Sequence, residues 1–279
     1  MQTFGDKPTV RPFIKWVGGK RRILNKLLPF VPKNIETYVE PFVGSGAMYF
    51  NLTFKKAIIN DLNYELICAY KQIRDDVESL QHLLNTFSYN KEEFYKVRAW
   101  DREPNFKDRP QIEHAARIIF LLKTCYNGLY RVNSKNYFNT PFGSFKNPKI
   151  CDEKNLLACS QYINQHPTKI YNLNYHELIK LIPKNSFVYL DPPYHPVNET
   201  SYFTSYQPGV WTHKEQIELF EFCKKLDKRG IKFMQSNSSA DFILDLYKDF
   251  NIHFIEAPRS INSVATERGV VKESVIVNY

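Results

Sequence analysis

The chain is poor in features that would commit it to a metal, disulfide or membrane role. Its five cysteines, Cys68, Cys125, Cys151, Cys159 and Cys223, form no C-x-x-C pair and show no ligand spacing with the seven histidines. That pattern excludes a cysteine-built zinc site and a disulfide framework, and predicts reduced, mostly structural thiols in a cytoplasmic protein without a bound metal. No apolar run approaches the length of a membrane span and the first residues are polar, so neither a signal peptide nor a membrane partner is expected. Internal repeats and low-complexity segments are missing too.

Acidic residues are absent from two long stretches. Residues 7–35 carry Lys7, Arg11, Lys15, Lys20, Arg21, Arg22, Lys26 and Lys33 with no acid, and residues 114–150 carry six more basic residues, again with no acid. In a chain of net charge +9 such blocks suit a phosphate-bearing partner, although solvated helix faces can be equally basic. With 279 residues, 43% of them hydrophobic, the chain can build a sizeable core, enough for one large domain with an insertion.

What is present is more telling. Asp191-Pro192-Pro193-Tyr194 closes the apolar run SFVYL at 186–190. The prolines remove N–H donors and fix φ near −65°, so the Asp191 carboxylate and the Pro192 carbonyl can both accept from one NH₂ group. Tyr194 can stack on the ring that carries that amine. An exocyclic amine is a poor nucleophile because its lone pair is delocalised, and two acceptors drawing on its hydrogens localise that pair for attack. A strand ending in a rigid turn is the plainer alternative.

A second motif lies far upstream. The short apolar strand 37–40 leads into PFVGSG at 41–46 and then a helical stretch at 47–52. Gly44 and Gly46 permit a tight turn and close approach of a ligand. A dinucleotide site also uses a glycine-rich turn, but its third glycine would fall where Tyr49 stands. The strand at 57–59 ends in Asn60-Asp61, setting a carboxylate where ribose hydroxyls or a cationic cosubstrate could meet it. Glycine turn, strand-end acid and the Asp191 turn together describe S-adenosylmethionine beside a target amine.

With these motifs the chain resembles the Dam-type adenine-specific DNA methyltransferases, and within them the GATC-recognising enzymes. The matching segments are PFIKWVGGK (12–20), EPFVGSGA (40–47), NDLN (60–63), NGLYRVN (127–133), FNTPFG (138–143), DPPY (191–194) and FTSY (203–206). They run in the family's order from near residue 12 to the C-terminus, which is more specific than any one of them.

The resemblance implies residue roles. Asp191, Pro192 and Tyr194 would be catalytic. Trp16, Lys20, Glu40, Phe42, Gly44, Gly46, Asp61, Asn174, Tyr175 and Asp191 would contact S-adenosylmethionine. Lys15 would reach a guanine. Arg131, by its own chemistry, can make the bidentate O6 and N7 contact to guanine that is the commonest specific major-groove interaction, a phosphate-only contact being the alternative. Tyr126 and Asn127 would fill the space left by a flipped adenine, with Leu129 and Pro141 near the thymine methyl. Asn174 departs from the family, standing where many relatives carry an aspartate that holds the cosubstrate adenine. From composition, the polar and aromatic segment 200–206 would close over the flipped base, a surface loop without function being the alternative, and the polar loop 259–268 would touch phosphates. The expected partner is double-stranded DNA, with a restriction nuclease acting on the same site as a further possibility.

The expected fold is an α/β, Rossmann-like methyltransferase sheet with a mostly helical DNA-recognition insertion. The catalytic domain takes residues 1–63 and 166–279, and the insertion 64–165. Strands are expected at 37–40, 57–61, 168–173, 186–191, 231–236, 251–257 and 273–279. Helices are expected at 63–87, 91–124, 176–182, 214–229 and 240–249, with a hairpin or long loop from 126 to 147. Asp61 and Asp191 both end strands, the place where ligands sit in open α/β sheets.

Overall fold

A computed structural model describes residues 10–195, 211–258 and 270–279. The chain forms two compact units. The first comprises Met1–Gly19, Val43–Leu52 and Asn60–Asn172, and the second Lys20–Phe42, Thr53–Ile59 and Leu173–Tyr279. The expected stretches 200–206 and 259–268 lie outside the described residues.

The second unit is built on a sheet. Its strands are β1 (Ile35–Glu40), β2 (Phe54–Asn60), β4 (Ser186–Leu190), β5 (Lys232–Ser238), β6 (Asn251–Pro258) and β7 (Val270–Val277), while β3 (Thr168–Tyr171) belongs to the first unit. The lateral order β2-β1-β4-β5 is parallel throughout, and β7 runs antiparallel to both β5 and β6. Every residue of β4 is buried. That accounts for the unbroken apolar run at 186–190, since a parallel strand covered on both faces has no solvent side to alternate with. Asp191 therefore emerges at the carboxyl end of a central strand. Around the sheet lie α1 (Leu24–Leu27), α7 (His213–Lys228) and α8 (Asp241–Leu246).

The first unit is mainly helical: α2 (Tyr64–Asp75), α3 (Val77–Thr86), α4 (Lys91–Ala99), α5 (Gln111–Thr124) and α6 (Glu153–Gln165). Two of the long helices expected from periodicity are each divided. Asp76 adopts an extended φ of −157° and caps α3 by accepting from the Ser79 N–H, which ends α2. Between α4 and α5 the chain passes through two 3-10 turns and Pro104, and Pro110 sits at the N-cap of α5. The stretch at 47–52 forms a 3-10 turn over Tyr49–Asn51, and Tyr175–Lys180 is also 3-10. Helix α6 was not singled out by the sequence reading.

Arg117, fully buried on α5, ties this unit together. Nη1 meets both Glu65 oxygens of α2 at 2.8 and 2.7 Å, and Nη2 meets Asp101 Oδ2 at 2.8 Å. Its remaining donors reach the Val97 and Arg98 carbonyls. Asp101 also accepts the Phe138 N–H at 2.6 Å. Arg117 was counted in an acid-free basic block, but it faces inward and offers nothing to phosphate. Lys20, from the other block, is buried as well.

Segment 125–143 is a hairpin. Cys125 bridges Phe142, Val132 bridges Phe138, and Asn133 closes the tip by accepting from the Lys135 and Tyr137 N–H groups. Among the described residues no helix is long and apolar enough to cross a membrane.

Removing Arg117 takes the guanidinium from the largely buried Glu65 carboxylate, while Asp101 keeps Arg102 and the Phe138 N–H. Arg117→Ala should lower the unfolding free energy by about 3–5 kcal/mol. Urea denaturation followed by circular dichroism checks this, and a change under about 1 kcal/mol would show that the network contributes little.

Candidate active site and nucleic-acid interface

In the first unit, Asp61 is the buckle of the glycine turn. Its Oδ2 accepts the Gly44 N–H at 3.0 Å and its Oδ1 accepts the Asn63 N–H at 2.9 Å. Asn63 in turn caps α2 by accepting from Leu66 N–H. Burial raises the Asp61 carboxyl above the ordinary range, opposed by those amide donors. Expected to meet ribose hydroxyls or a cationic cosubstrate, Asp61 already accepts a backbone N–H at each oxygen, and further contacts would use the remaining lone pairs. Asn172 closes the same corner, donating Nδ2 to the Asp61 and Leu62 carbonyls.

The glycines are sterically required. A Cβ on Gly44, at φ +47°, would lie 2.8 Å from Trp16 Cδ1. One on Gly46, at φ +71°, would lie 2.6 Å from the Tyr70 hydroxyl and 3.1 Å from the Phe50 ring. Trp16 thus covers the turn with its ring edge, and its face stacks on Tyr130 at 5.0 Å and 21°. Tyr130, a residue passed over between two motif positions, joins Trp16 to the hairpin, and burial pushes its phenol up to about 12.

The hairpin displays its candidate readers outward. Tyr126, Asn127, Arg131 and Pro141 are exposed and Leu129 is half-buried. Asn127 (φ 55°) and Gly128 (φ 64°) are both left-handed, a local reversal that asparagine and glycine tolerate better than other residues. Arg131 Nε donates to Asn139 Oδ1 at 2.7 Å, holding the guanidinium along the hairpin. Lys15 is exposed, and its stem runs beside Gly128, whose Cβ would lie 3.1 Å from Lys15 Cδ.

In the second unit, Lys20 Nζ sits 2.8 Å from Asp191 Oδ1 and 4.5 Å from the centre of the Tyr194 ring. Burial raises the Asp191 carboxyl above the ordinary range, and the Lys20 charge pulls it back down. The Tyr194 hydroxyl donates to Glu273 Oε2 at 2.8 Å. Burial and then the Asp191 charge push that phenol well above its usual value. Pro192 is buried. Lys20, expected as a cosubstrate contact, is the counter-charge of Asp191.

Glu40, at the end of β1, is buried and accepts from the Tyr38 hydroxyl at 2.8 Å. Phe42 packs against Tyr175 at 5.1 Å and edge-on to Trp211 at 5.5 Å. The Tyr175 hydroxyl is buried and has no hydrogen-bond partner among the described residues. Asn174 Oδ1 is engaged as a cap, accepting the His176 N–H at 3.1 Å, and its own N–H goes to Glu177.

Sequence reasoning missed Tyr130, Trp211, Gln216, Asn237 and Glu273. Trp211 carried a signal, being one of only three tryptophans and close after the Asp191 turn. Gln216 carried another: it lies on the buried stripe of α7 with Leu219, Cys223 and Leu226.

A parallel α/β sheet with a reversed strand, a glycine turn after β1 and an acid-proline turn after β4 make this an S-adenosylmethionine-dependent methyltransferase. The chain belongs to the D12 class of N6 adenine-specific DNA methyltransferases, whose family model matches residues 16–261. Its substrate is DNA and its methyl donor S-adenosylmethionine.

Relatives support this along the whole chain. The Type II methyltransferase M1.LlaDCHI of Lactococcus lactis subsp. cremoris is 43% identical over 276 residues, covering 98% of this chain and 97% of that one. The Type II methyltransferase M.MjaIII of Methanocaldococcus jannaschii is 44% identical over 290 residues, covering 97% and 99%. The DNA adenine methylase of Escherichia coli K12 is 31% identical over 267 residues, covering 94% and 93%.

Gly46→Ala combines a left-handed φ with a clash and should cost about 1–3 kcal/mol in overpacking besides the backbone strain. Gly18, at φ +74°, has open space around its Cβ position, so Gly18→Ala should show only the strain, about 1 kcal/mol. Melting temperatures of the two variants test the difference. Equal losses would contradict the packing argument.

Proposed function

We propose that this enzyme methylates the 6-amino group of adenine in double-stranded GATC, extruding the base to reach it. The Asp191 turn carries the reading: an acceptor carboxylate and an aromatic ring held together at the end of β4. The target amine is inaccessible within the stack, so flipping is required. Tyr194 stacks the extruded adenine. Asp191 and the Pro192 carbonyl accept its amine hydrogens and localise the nitrogen lone pair, with no separate strong base.

Trp16, Lys20, Glu40, Phe42, Gly44, Gly46, Asp61, Asn174 and Tyr175 hold the cosubstrate. When bound, S-adenosylmethionine supplies an electrophilic methyl group. In the second unit the Tyr175 hydroxyl, without a hydrogen-bond partner among the described residues and with Phe42 and Trp211 against its ring, suits a planar base. In the first unit, a glycine turn with no room for Cβ atoms suits close approach of a ligand. Asn174 replaces a charged acceptor by a neutral one, which weakens cosubstrate affinity without altering the reaction.

DNA reading falls to the insertion at 64–165 and to Lys15. Tyr126 and Asn127 fill the vacated space, Arg131 and Lys15 read guanines, and Leu129 and Pro141 meet the thymine methyl. The outward display of Tyr126, Asn127, Arg131 and Pro141 on one anchored hairpin supports this. Higher identity to the two Type II methyltransferases than to the DNA adenine methylase favours a restriction-modification role over a solitary one.

Treating plasmid DNA with the purified protein should yield N6-methyladenine confined to GATC, read by mass spectrometry and base-resolved sequencing. Methylcytosine, or methyladenine in another sequence, would refute the assignment. Arg131→Ala should relax discrimination at one G·C pair by about 1–3 kcal/mol. Uniform slowing on GATC and all single-base variants, at fixed salt, would make Arg131 a backbone contact.

A further inference from the structure

Two buried amides grip the catalytic turn on either side of Tyr194. Gln216, near the start of α7, is fully buried and donates Nε2 to the Pro193 carbonyl at 2.9 Å. Asn237, fully buried on β5, donates Nδ2 to Gln216 Oε1 at 3.1 Å. Asn237 Oδ1 then accepts the Ser238 N–H at 2.8 Å and the His195 N–H at 3.4 Å. A carbonyl can only accept, so Pro193 dictates which way Gln216 faces, and Gln216 dictates the orientation of Asn237.

The Pro193 carbonyl belongs to the peptide before Tyr194 and the His195 N–H to the peptide after it. One network therefore touches both peptide planes that set the direction of the Tyr194 side chain. Packing reinforces it. The His195 ring stacks parallel on His213, the first residue of α7, at 4.7 Å and 5°, and Phe242 lies against both. The Tyr194 hydroxyl is tied separately to Glu273. An apolar side chain at 216 would continue the buried stripe of α7 without the desolvation cost of an amide, so what the amide adds is direction.

We propose that Gln216 and Asn237 are positioning residues for methyl transfer. They fix the plane of Tyr194, and with it the placement of the stacked adenine relative to Asp191. This rests on the reading that Asp191 and Tyr194 hold the adenine. Misplacement of a reacting group by about 1 Å can slow a reaction by about 100-fold, so the network acts on the chemical step and not on affinity.

The test uses Gln216→Met, which keeps the volume and removes the donor, and Asn237→Asp, which keeps the acceptor for His195 and removes the donor to Gln216. Single-turnover methyl transfer on the cognate duplex, measured below each variant's melting transition, should fall by about 100-fold in either. Dissociation constants for the duplex and for S-adenosylmethionine should stay within about twofold of wild type. The double variant should be about as slow as the slower single one, because both cut one chain of bonds. A wild-type rate in the folded Asn237→Asp protein, losses confined to affinity, or multiplying effects in the double variant would overturn the proposal. Asp191→Ala is run in parallel: if it retains transfer, the underlying reading fails, whereas an inactive Asp191→Ala beside fully active network variants refutes the positioning role alone.

Discussion

A carboxylate taken out of water must find donors to replace its hydration, and this constraint shapes both units. Three solutions are seen among the described residues, besides the Tyr38 hydroxyl that meets Glu40. Asp61 is held by backbone N–H groups of the glycine turn and the α2 cap. Glu65 and Asp101 share the buried Arg117 guanidinium. Asp191 has the Lys20 ammonium. The first two serve shape, drawing a turn closed and locking helices together. The third leaves a half-buried acceptor whose carboxyl is raised by burial and lowered by the Lys20 charge beside it, which suits the proposed role at a substrate amine.

The same economy links the helical scaffold to the hairpin. Asp101 joins Arg117 to the Phe138 N–H, Arg102 bonds the Phe138 carbonyl, and Arg98 bonds the Thr140 carbonyl. The hairpin is thus held at its backbone, while Tyr126, Asn127, Arg131 and Pro141 project outward. Basic residues that look alike in sequence divide by partner: arginines 98, 102 and 117 build the support and Arg131 faces solvent. A basic block is therefore a poor guide to a phosphate-binding face until the buried members are removed from it.

The central strand was legible because a parallel, doubly covered strand leaves an unbroken apolar run, as at 186–190, ended here by Asp191. The hairpin was legible from its density of Gly, Asn and Pro. Helix boundaries at Asp76 and around Pro104 and Pro110 were not, since periodicity continues across a break when both flanking helices face the same core. The motif residues were readable as a set, but their partners were not. Nothing in the spacing links Lys20 to Asp191, 171 positions apart, or Pro193 to Gln216 and Asn237. Such pairings depend on strand order, which a list of motifs does not contain.

The central claim is that Asp191 works as an ionised acceptor kept charged by Lys20. Burial raises its pKa, so transfer should be present above the folded pKa and lost as pH falls through it, with an acid limb above the range of an exposed carboxylate. Removing the Lys20 charge leaves desolvation unopposed and should move that limb to still higher pH. Single-turnover rates against pH for the wild type and Lys20→Met, at saturating S-adenosylmethionine and DNA, measure this directly. The account predicts an upward displacement of the acid limb in Lys20→Met. An acid limb at the same pH in both proteins would contradict it.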